Sequence, residues 1–172
     1  MEPGNCHDGH PWEVASNGKC DADAVVTYLG GDPQLDAVKP SVEAHVATVG
    51  DQKVCVVGQR GQPFVGTLRQ VLSSEKGQQF RWCRVTTTGV KDVDCASPHD
   101  EEVLGNAVQG QDCTAMIARY LGLSGSTDVP TDLNASPPVM INGVSRCVVS
   151  ATASQRLNRT LRGLENRALP IA

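Results

Sequence analysis

Apolar positions in the second half of the chain fall at helical spacing. Cys113, Met116, Ile117, Tyr120 and Leu121 occupy i, i+3, i+4, i+7 and i+8, the stripe of one helix face. Asp112 stands where an N-cap is wanted and Gly122 where a helix stops, so the pattern predicts a helix over 113–121. Cys20, Ala24, Tyr28 and Leu29 follow nearly the same spacing and end at Gly30-Gly31, which predicts a helix over 20–29. Each helix then carries a cysteine in its first turn, on the inward face. A loop rich in Pro, Asp and Ser follows each. Short β-branched runs come next, at 53–57 and 146–149, just after Gly50-Asp51 and Asn142-Gly143. Asn-Gly is a hairpin signal. Further strands are predicted at 64–71 and 159–164, and before the helices at 12–15 and 102–108. Residues 80–87 read as an extra opening strand, and 73–77 as a linker. Strand, helix, strand, strand is an α+β order, expected to give one small antiparallel sheet with one packed helix.

The order occurs twice because the chain repeats itself. Cys6, His10, Glu13 and Val14 return at the same offsets as Cys95, His99, Glu102 and Val103. Tyr28-Leu29-Gly30 returns as Tyr120-Leu121-Gly122, Cys55-Val56-Val57 as Cys147-Val148-Val149, and Thr67-Leu68-Arg69 as Thr160-Leu161-Arg162. Shared landmarks in a shared order indicate an internal duplication, which fixes the domain count. The predicted units are residues 1–74 and 78–172.

Composition says what must hold such units together. Two Trp, two Tyr and two Phe leave the core to small aliphatic residues. A unit of roughly 80 residues with that core leans on covalent staples. Seven cysteines supply them and suggest an oxidising compartment. The net charge of −4 is mild and spread out, with no basic stripe of the kind that binds nucleic acid. No apolar run reaches the roughly 20 residues of a membrane span, and no secretory signal follows Met1. The expectation that reconciles these facts is an ectodomain whose signal or membrane anchor lies upstream of Met1.

The repeat also orders the cysteines. Cys6 matches Cys95, Cys20 matches Cys113 and Cys55 matches Cys147, while the counterpart of Cys83 would lie upstream of residue 1. On that correspondence Cys20–Cys55 and Cys113–Cys147 are equivalent bridges, Cys83–Cys95 ties the opening strand to the next, and Cys6 is left unpaired. Spacing alone does not determine connectivity. A loop of this length contributes roughly 4 kcal/mol in the chain-entropy model. The rival is zinc on Cys6, His7, His10 and Cys20. That spacing is not a standard finger or ribbon, and the second unit keeps one histidine in this region. The expectation is no metal and no cofactor. No Cys-x-x-Cys pair offers thioredoxin-like chemistry.

Cys83, followed by Cys95-Ala96-Ser97-Pro98-His99-Asp100-Glu101-Glu102-Val103, then Cys113, Cys147-Val148-Val149 and Thr160-Leu161-Arg162-Gly163, resembles the septum formation domain family of actinobacteria. That family is typified by a cysteine, then Cys-x-x-Pro-His-x-x-Glu-Val, a helix cysteine and a strand cysteine. The resemblance covers nearly all of 80–165, and 5–72 more loosely. His10 and Glu13 fit, but Gly9 replaces the proline and the opening cysteine is missing. The resemblance implies an extracytoplasmic domain, commonly attached to a membrane segment and sometimes to a signalling protein, with a role in cell division.

The repeated His10/Glu13 and His99/Glu102 pairs are the candidate site. Histidine as base with a glutamate partner would make a catalyst; both as ligands would make a metal site. Pro11 and Pro98 disfavour a helix there, and on a strand residues three apart point to opposite faces unless a turn intervenes. A structural role is the alternative: histidine bonding a turn near the disulfide, glutamate opening the next strand. The functional expectation is a non-catalytic extracytoplasmic binding or sensor module of the cell envelope, linked to septum formation. Its partner would be an envelope or division protein or a cell-wall fragment. The competing expectation is a cell-wall hydrolase using His99 and Glu102.

Overall fold

A computed structural model describes residues 8–108, 110–152 and 155–171. The protein is α+β and divides into two compact units, Met1–Gly31 with Pro40–Gly77, and Asp32–Lys39 with Gln78–Ala172. The boundary near residue 77 agrees with the repeat. The segment Asp32–Lys39 does not: the sequence leaves it in the first unit, whereas its backbone partners lie in the second.

The first unit contains β1 (Trp12–Ser16), α1 (Ala22–Tyr28), β2 (Val42–Val49) and β3 (Gln52–Gln59), with the antiparallel sheet in the order β1-β3-β2. Glu13 pairs with Val57 and Val46 with Cys55. The predicted start of α1 at Cys20 is corrected to Ala22. The side chain of Asp21 accepts from the Ala24 amide at 2.8 Å and caps the helix, so Cys20 lies one residue before the cap and two before the helix. From there Cys20 bridges to Cys55 in the middle strand, with Cα atoms 5.0 Å apart. Val25, Val26 and Leu29 of the helix end, and Val54, Val56 and Val57 of the strand, are buried.

The second unit contains β4 (Trp82–Val85), β5 (Lys91–Asp94), β6 (Glu101–Asn106), α2 (Cys113–Leu121), β7 (Leu133–Ile141) and β8 (Val144–Ala151). Its antiparallel sheet has the order β5-β4-β6-β8-β7. Helix α2 has the predicted bounds. Asp112 accepts from the Thr114 amide at 2.8 Å, and Gly122 ends the helix at φ 82°, a left-handed conformation that glycine adopts without strain. Its face of Cys113, Met116, Ile117, Tyr120 and Leu121 forms one core with Leu104, Val149, Leu157 and Leu161. Cys113–Cys147 fastens the start of the helix to β8, and Cys83–Cys95 fastens β4 to the turn after β5. These are the pairs the repeat correspondence implies.

Strands β4 and β6 pair only at Cys83–Glu102 and Arg84–Glu101. Beyond Cys83 they diverge, and Asp32–Lys39 fills the gap. The Gly105 amide donates to the Leu35 carbonyl at 2.9 Å, the Trp82 amide to Ala37 at 3.1 Å, and the Lys39 amide to Phe80 at 3.0 Å. Gly105 is required there: a Cβ would meet the Pro33 carbonyl oxygen at 2.6 Å.

Further expectations are corrected. Residues 64–71 and 159–164 are not strands; they are loops and turns, with Phe64 making only an isolated bridge to His10. The partners of β3 and β8 are instead β2 and β7, drawn from what the sequence presents as loops. Residues 73–77, the expected linker, end where the first unit ends and are built of 3-10 turns. The two strands before the helices are shifted by a residue or two from their predicted bounds.

Candidate functional site

Glu102 is the second residue of β6, where its pairing with Cys83 and Val149 points it inward. His99 precedes the strand. Its backbone exchanges two hydrogen bonds with Leu157, each 2.8 Å. Pro98 and the Asp94–Ser97 turn bend the chain before it, and the Ser97 amide donates to the Asp94 carbonyl at 3.2 Å. That bend defeats the strand rule that would separate residues three apart. His99 Nε2 lies 3.4 Å from Glu102 Oε1, and neither side chain is exposed at all.

Glu102 is surrounded by donors. Its Oε1 accepts from the Leu161 amide at 2.7 Å, and its Oε2 accepts from the Tyr120 hydroxyl at 2.8 Å and the Thr160 hydroxyl at 3.1 Å. One carboxylate thus joins the opening of a strand, the last turn of α2 and the closing Thr160-Leu161 loop. His99 Nδ1 lies 2.7 Å from the Ser97 carbonyl oxygen. A carbonyl only accepts, so Nδ1 carries the proton.

The first unit repeats this arrangement. Glu13 Oε2 accepts from the Leu68 amide at 2.6 Å, and Oε1 accepts from the Thr67 hydroxyl. Tyr28 is hydrogen-bonded to Glu13. His10 Nδ1 lies 2.8 Å from the Asp8 carbonyl oxygen, again two residues back, and the His10 and Phe64 backbones exchange two bonds of 3.0 Å. The first copy is more open: Thr67 is exposed and Glu13 half-buried, whereas Glu102 and Leu161 are fully buried.

Burial sets the electrostatics. It pushes the Tyr120 hydroxyl well above the ordinary tyrosine range, and the negative charge of Glu102 pushes the same way. Burial followed by the bond to Glu13 raises Tyr28 likewise. Burial alone would lower Arg81, but Tyr120, Asp36 and Glu102 outweigh it and hold the guanidinium more firmly charged. Asp36 arrives on the inserted segment and pairs with Arg81, and Arg162 Nε donates to it at 3.1 Å. The Arg162 guanidinium also lies over the Tyr120 ring, 5.5 Å from its centroid.

Of the residues predicted from sequence, the structure brings His99 to Glu102, Cys83 to Cys95, Cys20 to Cys55 and Cys113 to Cys147. Cys6 and His7 lie outside the described residues. In the oxidised protein Cys20 has no thiolate to offer the zinc alternative, because its sulfur is bonded to Cys55. The sequence reading missed Tyr120, Thr160 and Leu161 as partners of Glu102, and Asp36, Arg81 and Arg162 as an ionic group. The signal for the first three was present: each is a landmark kept in both copies. Asp36 had none, since its partners come from the other half of the chain.

Three disulfides in a chain of this size belong to an oxidising, extracytoplasmic environment. Among the described residues no helix is long and apolar enough to cross a membrane. No protein-family model matches the chain, and no curated protein or solved structure matches it.

Proposed function

We propose that this chain is a non-catalytic binding or sensor module of the cell envelope, linked to septum formation. The observation that carries the reading is the fate of the repeated His-x-x-Glu pairs. In the second unit both side chains are fully buried, and the carboxylate is occupied by three donors, one from α2 and two from the Thr160-Leu161 loop. A buried pair engaged in this way supports architecture rather than turnover, because a substrate cannot reach it without unfolding its surroundings. Support for a binding role comes from the β7–β8 hairpin. Its Asn142-Gly143 turn is flanked by Val139, Met140 and Val144, with Met140 69% exposed at the end of the paired strands. The link to septum formation rests on the resemblance of residues 80–165 to that family, and the partner class on the same ground.

The experiment is incubation of the oxidised protein with purified bacterial cell-wall sacculi and, separately, with envelope membranes of an actinobacterium. Retention on either fraction without release of soluble wall fragments is the expected result. Release of fragments by the wild type, abolished in H99N and E102Q variants that remain folded, would establish the hydrolase instead.

A further inference from the structure

Four potential ligand atoms converge in the second unit. The sulfurs of Cys83 and Cys95, a ring nitrogen of His99 and a carboxylate oxygen of Glu102 all lie within 4.8 Å of one another, and all four residues are buried. We propose that these four side chains form a tetrahedral Zn²⁺ site whenever Cys83 and Cys95 are thiols, so that one position in the fold holds either a disulfide or a metal ion.

Three features of the geometry carry the proposal. The first is the tautomer. His99 Nδ1 donates to the Ser97 carbonyl, so the neutral ring turns the lone pair of Nε2 toward Glu102 Oε1. Two acceptors that face each other need a cation between them. In the reduced protein a metal ion would serve. The second is distance. Zinc bonds to imidazole nitrogen and carboxylate oxygen are about 2.0–2.2 Å, so the edge of a tetrahedron joining them is about 3.4 Å. The Nε2 to Oε1 separation is already 3.4 Å. Only the sulfurs must move, from a covalent bond to an edge of about 3.8 Å, since Zn–S is about 2.3 Å. The third is the outer shell. The ring is oriented through its other nitrogen by a backbone carbonyl, and the carboxylate is held by Leu161, Tyr120 and Thr160. Such supports are what metal-ligating histidines and carboxylates use.

The chemistry balances with a thiol reductant. The Cys83–Cys95 bond takes up two electrons and two protons from two thiol molecules, which leave as their own disulfide. Binding of Zn²⁺ then releases both cysteine protons to solvent. Since all four groups are buried, the ion enters while the chain folds. The first unit keeps His10 and Glu13, but Cys6 lies outside the described residues, so the proposal concerns the second unit. The assignment stands independently of the proposed binding role, because it concerns the reduced chain.

The test refolds the full chain under a metal-free phosphine reductant, with and without one equivalent of Zn²⁺. Each cysteine is then alkylated with iodoacetamide and its rate followed by mass spectrometry. The expected result is that zinc slows alkylation of Cys83 and Cys95 at least about tenfold, the other cysteines changing less. The protection should weaken in H99Q. A parallel titration with Co²⁺ should give the visible bands of a tetrahedral sulfur-ligated ion, lost in C83S and kept in C20S/C55S. Failure of zinc to protect Cys83 and Cys95, equal protection of every cysteine, or Co²⁺ bands that survive C83S would each overturn the proposal.

Discussion

Replacing Glu102 by Ala removes the one group that three structural elements share, and the cost can be worked out from its contacts. The Leu161 amide, in a residue with no exposure, loses its acceptor at 2.7 Å. The Tyr120 hydroxyl, in a side chain 2% exposed, loses its acceptor at 2.8 Å, and the Thr160 hydroxyl loses one at 3.1 Å. Tyr120 and Thr160 lie 3.2 Å apart and can then satisfy each other in part. Each buried donor left without a partner costs about 1–3 kcal/mol. With one hydroxyl partly rescued and a small cavity added, E102A should destabilise the second unit by about 3–5 kcal/mol. E102Q keeps an oxygen for the Leu161 amide and offers its NH₂ to two hydroxyls able to accept, so about 1–2 kcal/mol is expected. In the first unit E13A should also cost about 1–2 kcal/mol, because solvent reaches Thr67 and replaces part of what is lost. The assay is urea unfolding of the oxidised protein followed by tryptophan fluorescence. Trp12 belongs to the first unit and Trp82 to the second, and they are the only two in the chain. W12F therefore leaves a reporter of the second unit alone. If E102A in that background lay within about 0.5 kcal/mol of its parent, or cost less than E13A, the shared carboxylate would not hold the unit together.

Two predictions concern pH. Tyr28 and Tyr120 are the only tyrosines, and both are raised above the ordinary value near 10 by burial and a carboxylate. A raised tyrosine adds stability below pH about 10 that is lost as the pH climbs toward its folded value. The folded chain should therefore show almost no tyrosinate absorbance at about pH 10.5, and the fully buried Tyr120 should ionise only with alkaline unfolding; a smooth titration of both tyrosines in the folded state would contradict its buried bonds. Asp100 moves the other way. Burial would raise it, but the Thr86 and Thr87 amides and Arg156 Nε, at 2.6, 3.1 and 3.0 Å, outweigh burial and hold it below the ordinary range. Its contribution is present above about pH 4 and lost as the pH falls through its lower folded value. D100N should cost about 1–2 kcal/mol at neutral pH and much less at about pH 2. A deficit unchanged between the two would mean that the charge is not what those donors bind.

The parts of the fold that could be read from sequence are those whose signals are local. Helix α2 has its apolar stripe, its Asp112 cap and its Gly122 stop within one short stretch, and its bounds follow. Strands β3 and β8 are β-branched runs just after turn residues. Strand β7 was hidden by Pro137-Pro138. It is an edge strand, where proline costs no central ladder bond, and its register shifts between Ser136 and Val139 at that point. Strand β2, with three valines and two alanines among its eight residues, has a strand's composition, but it follows the Pro- and Asp-rich stretch after α1 and was read with it as loop. Residues 64–71 have the composition of a strand, yet they serve to carry Thr67 and Leu68 to Glu13. Tertiary contact overrides propensity there. The segment Asp32–Lys39 was beyond reach, since the bonds that hold it in the second unit come from Phe80, Arg81, Trp82, Gly105 and Arg162, far along the chain. At the candidate site the duplication worked as a two-copy comparison: Glu, Tyr, Thr and Leu recur because they meet. The sequence displayed them as landmarks without showing that they touch.

The claim on which the account rests is that two sibling units are stapled at equivalent places. Proteolysis of protein kept free of reductant, with thiols blocked before cleavage and cross-linked peptides identified by mass spectrometry, tests it most directly. The account predicts peptides joining Cys20 to Cys55, Cys83 to Cys95 and Cys113 to Cys147. Cys20 or Cys113 recovered as a blocked thiol, or joined to any other cysteine, would contradict it.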